Sequence, residues 1–310
     1  MPEVSTASSL NSNRGAPSQG FATELRRAGL SLFKAKWPVL AILILIAVVT
    51  AAAIGPLIAP KDPNRQNIIK RLQEPYQVER SGEVEFILGT DGLGRDVLSR
   101  LIYGARVSLL VGLTAVLIGG TLGVSLGLIA GYFGGRTDDI IMRLADIQLA
   151  FPFILLAIMF LVVLGPGLLN LVLVLGIGQW VTYARIARGQ TVSQREKEYV
   201  EAARALGKRD LAIMFQSILP NILAPLIVIA SFNVASVILA EAALSFLGLG
   251  VPPTIPTWGG MLAESRDQLL AGRWWLAVYP GIAIMLTVLS FNILGDWLRD
   301  FLDPRLRSAA

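Results

Sequence analysis

The chain has 310 residues, 54% of them hydrophobic and 16% charged, with a mean hydropathy of +0.62 and a formal charge of +5. That balance excludes an ordinary soluble domain. The absence of cysteine and histidine also excludes disulfides, thiolate or imidazole metal sites and histidine-based catalysis within the chain.

Residues 1–20 are rich in Ser, Asn, Ala, Gly and Pro without apolar periodicity and read as a disordered tail. Over 21–37, Phe21, Leu25, Ala28 and Leu32 recur at helical spacing among basic neighbours. This pattern fits a helix lying on the inner membrane surface or a simple topogenic anchor. The tail and this segment form one unit, 1–36, and a transmembrane unit follows over 37–310. Its six apolar stretches, near 37–59, 107–133, 147–164, 168–183, 219–248 and 276–294, approach the roughly 20 residues that a helix needs to cross a bilayer. They are too long and too continuously apolar for the alternating, roughly ten-residue strands of a barrel. The first begins too late, and is too long, for a signal peptide.

Arg14, Arg26, Arg27, Lys34 and Lys36 outweigh Glu3 and Glu24 ahead of the first span, which places the N-terminus in the cytoplasm. Six crossings return the C-terminus to the same side. The external loop, about 60–105, balances seven basic against seven acidic residues. Within it Gly89, Thr90, Asp91, Gly92, Gly94, Arg95 and Asp96 form a turn that Asp91 is able to cap. Val97, Leu98, Leu101 and Ile102 then predict an amphipathic helix on the outer surface. The turn lacks the lysine and hydroxyl of a phosphate loop.

The second span carries Gly119, Gly123, Gly127, Gly131 and Gly135 at four-residue intervals. The series forms a slowly winding small-residue stripe, suited to close helix packing or to sliding between states. Gly165, Pro166 and Gly167 make a tight turn joining the third and fourth spans. The fifth span begins with Pro220 and holds Asn221, Asn233 and Glu241. A carboxylate there faces protein or a water-filled route, so Glu241 is either a pathway group or an acceptor of hydrogen bonds from a neighbouring helix. Trp258, Trp274 and Trp275 read as interfacial anchors.

The loop over about 185–219 is the most informative stretch. Its first part, 185–210, has seven basic residues against four acidic ones, as a cytoplasmic loop should. Strong helix formers from Glu196 to Leu206 lead to Gly207, which is able to take the left-handed conformation that ends a helix. Asp210 then caps a second helix whose Leu211, Met214, Phe215 and Ile218 share an apolar face. A DNA-binding helix-turn-helix has a similar outline, but a segment pinned between membrane spans does not suit that role. With Glu201 and Arg204 beside the small Ala202, Ala203 and Ala205, the first helix fits docking into a cytoplasmic partner.

Glu201, Ala202, Ala203, Gly207, Leu219 and Pro220 stand in the register of the EAA motif. The stretch thereby resembles permeases of binding-protein-dependent ABC importers; it departs from the motif in having Ser217 where an isoleucine is usual and Ile218 next to it. GTDGLGRDVLSRLIYGARVSLLVG from Gly89, Ile129-Ala130-Gly131-Tyr132-Phe133-Gly134-Gly135, the block Glu241 to Gly250, Thr257-Trp258-Gly259 and the ending Asp300 to Leu306 extend the likeness. Together they are similar to C-type permeases of the dipeptide and oligopeptide family. The resemblance covers nearly everything after about residue 21.

The resemblance implies an all-α polytopic protein of the type I ABC importer permease fold, with six transmembrane helices and a cytoplasmic coupling helix. It implies a bacterial or archaeal cytoplasmic membrane and import of di- or oligopeptides, with nickel, glutathione or opines as alternatives. The expected partners are a second, B-type permease or second copy, two cytoplasmic ATPases that hold ATP and Mg, and an extracytoplasmic solute-binding protein. Glu201, Ala202, Ala203, Arg204, Gly207, Leu219 and Pro220 would engage an ATPase. Asn233 and Glu241 would serve the translocation route or gate. Gly89, Thr90, Asp91, Gly94, Arg95 and Asp96 would face the delivering protein. The chain itself has no Walker lysine motif, and neither a cofactor nor a metal is expected in it. A gradient-driven secondary transporter is the competing class, but it predicts inverted repeats and several buried ionisable groups.

Overall fold

The computed structural model describes residues 36–78 and 84–302. The predicted tail, the surface helix over 21–37 except its last two residues, and the Asp303-Pro304-Arg305-Leu306 ending lie outside the described residues. Within those residues the protein is all-α, and extended pairing is limited to two isolated bridges, Val78 to Val84 and Thr90 to Asp96.

Helix α1, Lys36–Ile58, is apolar nearly all round and buries only Ala41, Leu45 and Gly55. Among the described residues of the connection that follows, Ile68–Lys70 form a 3₁₀ turn. Helix α2, Val97–Phe133, follows. Its cap is Asp96, not Asp91: the Asp96 carboxylate accepts from the Ser99 amide at 2.8 Å and the Ser99 hydroxyl at 2.6 Å. The predicted outer amphipathic helix and second span are one helix of 37 residues, about 55 Å long at 1.5 Å per residue. No proline interrupts it, and Gly104 is held by close packing under Trp258.

The third predicted span departs further from expectation. Helices α3, Gly135–Leu149, and α4, Phe153–Leu164, meet at an angle of 85°. Pro152 explains the break, because a proline disfavours helical geometry in the residue before it, here Phe151. The 12 residues of α4 reach about 18 Å, well short of a bilayer core of about 30 Å. Among the described residues five helices are long and apolar enough to cross alone, or six spans if the bent pair counts as one.

Gly165 takes φ +82° in the turn after α4, and α5, Leu168–Arg195, runs about three turns beyond its predicted end at residue 183. Next come α6, Glu198–Ala205, the single turn α7, Asp210–Ala212, and a π-helical turn, Ile213–Ile218, that passes directly into α8, Leu219–Phe246. Helix α9, Trp258–Leu269, and α10, Trp275–Leu302, complete the described chain.

The most extensive helix pairing is α2 with α5. A Cβ on Gly119 would lie 2.5 Å from the Gly176 carbonyl oxygen, and one on Gly131 would lie 2.7 Å from Thr191 Cβ; Gly123 and Gly127 are closed off in the same way by Trp180 and Ala184. In lipid no hydrophobic drive separates helix–helix from helix–lipid contact, so such backbone approach supplies the van der Waals attraction. Gly135 leaves the stripe: it opens α3 at φ +51° with open space beside it. Leu117, Val163 and Leu169 are 69%, 80% and 69% exposed, an apolar belt of the kind that lipid or a partner span covers.

Candidate functional site

Helix α6 stands clear of the bundle, anchored by Val200, which is fully buried. Glu201, Ala202, Arg204, Ala205, Leu206 and Gly207 are exposed, and Ala203 is half-buried. Gly207 adopts φ +75°, its amide bonding the Arg204 carbonyl at 3.0 Å while the Lys208 amide returns to Ala203 at 3.1 Å. The left-handed glycine terminates the helix as its sequence implied. A Cβ at Gly207 would meet nothing within 4 Å, so the surface there is open. Leu219 is half-buried and Pro220 exposed at the start of α8.

The helix expected after Gly207 takes another form. Asp210 is the first residue of α7 and caps nothing; its carboxylate instead accepts from the Tyr132 hydroxyl at 2.6 Å. In the π turn, residues five apart fall on one side. Ile213 and Ile218 are buried in this way and Met214 beside them, while Phe215, and Leu211 in the preceding α7, are 48% and 66% exposed, so the predicted apolar face is split. Lys208 Nζ donates to Ser217 Oγ at 3.0 Å across the turn. Tyr132 also carries the Arg204 guanidinium 5.7 Å from its ring centroid. The tyrosine hydroxyl beside Arg204 holds that guanidinium further into its charged range. From the end of α5, Arg195 donates to the Gly131 carbonyl at 3.1 Å.

At the other end of α2, Gly89 turns at φ +77° against the Gln73 carbonyl, and Gly94 at φ +72° against Asn67. Thr90, Asp91, Arg95 and Asp96 are all at most 5% exposed, their polar groups engaged within the protein. The Asp91 carboxylate accepts from the Arg95 amide and Nε at 2.9 and 2.6 Å, and from Arg100 at 3.2 Å. The Glu264 carboxylate accepts from Arg95 at 2.6 Å and Arg100 at 2.9 Å, which ties α9 to α2. Burial pushes the Glu264 carboxyl up, with the Arg95 guanidinium pulling the other way. Trp258 and Trp275, only 2% and 1% exposed, are core residues and not interfacial anchors. Their indole N–H groups find the Leu101 and Thr90 carbonyls at 3.0 and 3.4 Å, which makes burial tolerable. Trp274 alone of the three is half exposed. Beside this cluster an open cleft of about 610 Å³ is lined by Pro56, Lys61, Tyr103, Arg106 and Ile255, among others.

Glu241 is wholly buried. It accepts from Ser108 Oγ of the neighbouring α2 at 3.1 Å and from Ser245 Oγ of α8 at 2.7 Å. Asn233, two turns earlier on the same helix, buries its amide nitrogen beside the buried Tyr183 hydroxyl of α5.

The model for binding-protein-dependent transport system inner membrane components matches residues 123–308, and that for the N-terminal transmembrane domain of oligopeptide transport permease C matches 23–75. The chain belongs to the binding-protein-dependent permease family. It is 44% identical to the di/tripeptide transport system permease protein DppC of Pseudomonas aeruginosa over 97% of this chain and 98% of that one. It is 46% identical to the glutathione transport system permease protein GsiD of Pectobacterium atrosepticum over 71% of this chain and 73% of that one. A chain of the MetNI methionine ABC transporter in inward-facing form shares the fold, with a TM-score of 0.53 and 18% identity over 66% of this chain and 96% of that one. This permease is thus a multi-pass membrane subunit of a binding-protein-dependent ABC importer. Membership of the family implies a partner permease, an ATPase and a binding protein, and it decides against the gradient-driven carrier.

Tyr132, Arg100 and Glu264 are the functional candidates that sequence reading passed over. The first stood inside a family block but 78 positions from its partner Asp210, and the separation of Arg100 from Glu264 is 164. No local pattern connects residues so far apart.

Proposed function

We propose that this permease moves di- or oligopeptides inward across the cytoplasmic membrane of a prokaryote, with both termini and α6 on the cytoplasmic side. Its partners are a second, B-type permease, two ATPases that hold ATP and Mg, and an extracytoplasmic solute-binding protein. The chain itself hydrolyses nothing. The observation that carries this reading is the exposed face of α6 ending at an open, left-handed Gly207. Small side chains let a partner groove approach the backbone, while Glu201 and Arg204 offer charged contacts at its rim. Ala202, Ala203, Leu219 and Pro220 complete the contact, and the buried π turn passes its movement into α8. Peptides are preferred over nickel, opines or glutathione because the di/tripeptide relative aligns with nearly the whole chain and the glutathione relative with a smaller part.

In this reading Glu241 and Asn233 belong to the gate, Glu241 through its clasp between α8 and α2. The buried turn of Gly89, Thr90, Asp91, Gly94, Arg95 and Asp96 shapes the face that receives the binding protein. The test is peptide uptake by the complete transporter in proteoliposomes. Uptake requiring ATP and the binding protein is expected; uptake driven by a proton gradient in this chain alone sinks the proposal. The ligand that co-purifies with the binding protein identifies the substrate.

A further inference from the structure

We propose that Tyr132 is the positioning residue through which movement of the coupling segment reaches α2, making α2 one strut between that segment and the Asp91–Arg95–Arg100–Glu264 cluster. The inference rests on the coupling role proposed for α6.

Tyr132 lies one residue before the end of α2 and is 7% exposed. It is gripped from both sides of Gly207. Its hydroxyl donates to Asp210 Oδ1 at 2.6 Å, at the start of α7, while Arg204 of α6 sits 5.7 Å from its ring centroid. Arg195, from the end of α5, bonds the backbone carbonyls of Gly131 and Tyr132 at 3.1 and 3.4 Å. The coupling segment therefore holds the last turn of α2 by a side chain and by its backbone. A rotation of α6 and α7 displaces the Tyr132 hydroxyl unless this short, charge-assisted bond breaks.

Such a displacement is not absorbed along the way. Helix α2 is unbroken over its 37 residues, and the glycine seam with α5 stiffens it, because packed interiors shift as units and do not deform smoothly. Its other end carries Arg100, 2% exposed, bonded to Asp91 and to Glu264 of α9. A tilt at Tyr132 is thus delivered to the opposite face at a site where α2 is fastened to α9. The simpler alternative is a tie that only stabilises the fold.

The two readings separate in the ratio of peptide imported to ATP hydrolysed, measured on the complete transporter with its binding protein in proteoliposomes. Tyr132→Phe keeps the ring and removes the hydroxyl, Asp210→Ala removes the acceptor, and Asp210→Asn retains an acceptor oxygen. Both Tyr132→Phe and Asp210→Ala are expected to lower uptake per ATP about threefold or more, and the double variant no further than the worse single, as one shared bond requires. Asp210→Asn is expected to hold near the wild-type ratio. Wild-type ratios for both disruptive variants, effects that multiply in the double variant, or an Asp210→Asn as impaired as Asp210→Ala would each overturn the inference. Should Tyr132→Phe fail to assemble, the Asp210 pair decides alone, since that side chain is exposed. If Glu201→Arg leaves binding-protein-stimulated hydrolysis intact, the coupling reading itself is at fault. If that variant is impaired while Tyr132→Phe and Asp210→Ala keep full uptake per ATP, only the strut fails.

Discussion

Gly123 of α2 lies so near Trp180 of α5 that a Cβ on the glycine would overlap the Trp180 carbonyl oxygen. The obstacle is backbone, which cannot rotate away as a side chain tip can. Gly120, by contrast, would place a Cβ 3.7 Å from the Tyr183 ring, an ordinary contact.

Gly123→Leu is therefore expected to separate α2 from α5, at the upper end of the roughly 1–3 kcal/mol range for overpacked cores or beyond it. Gly120→Ala is expected to be close to neutral. Thermal unfolding in detergent and the yield of membrane-inserted protein check both; equal behaviour of the two variants contradicts the seam.

Gly207→Trp tests the open surface at the end of α6. The left-handed backbone costs an L residue roughly 1–2 kcal/mol, and among the described residues nothing lies within 4 Å of a Cβ at this position. Gly207→Ala is the control for that strain. We expect the tryptophan, and separately Glu201→Arg, to abolish most binding-protein-stimulated ATP hydrolysis in the assembled transporter while the alanine variant retains most of it. Unchanged stimulation in both disruptive variants rejects the coupling contact.

Arg100→Ala takes one of two guanidiniums away from Asp91 and Glu264 and leaves both carboxylates on Arg95, so it should cost less than the about 3–5 kcal/mol of a buried charge that loses its partner outright. Glu264, whose side chain is 31% exposed, has water as a substitute partner, so Glu264→Gln should cost less. Chemical unfolding of both variants and of the double variant measures the pair: costs that add fully would show that the two side chains do not act together.

Glu241→Gln preserves the shape of the side chain, and serine hydroxyls are able both to donate and to accept. We expect it to insert at wild-type levels with reduced uptake. Glu241→Leu leaves the Ser108 and Ser245 hydroxyls without their acceptor, at about 1–3 kcal/mol for each stranded group, and should lower folded yield as well. A glutamine variant with full uptake would return Glu241 to a purely structural role.

Some of this was legible along the chain. Continuous apolar runs gave the first and fifth spans to within about two residues, and one end each of the second, fourth and sixth, because a roughly 30 Å hydrocarbon layer demands a set length of apolar helix. Gly207 ended α6 as expected, because positive φ is a local property of glycine. The four-residue glycine interval likewise marked a packing face on α2 before its partner was known. Other features failed for want of a local signal. Asp91 and Asp96 both look like caps, and only their folded neighbours assign one to the turn and the other to α2. Leu211, Met214, Phe215 and Ile218 share a face on a continuous α-helix, but the switch from α7 to the π turn after Ala212 leaves Leu211 and Phe215 exposed.

Sequence alone thus determined that this is a helical, multi-pass membrane chain and that a short helix ends at Gly207, since both depend on composition and short-range backbone preference; its likeness to permeases rests on the motif blocks. Tertiary structure alone decided what that segment grips, that Trp258 and Trp275 are core, that α3 and α4 fold back at 85°, and that Arg95 and Arg100 share Glu264. Those outcomes depend on which distant groups meet in a medium where buried polar atoms need partners, and separation along the chain conceals that meeting.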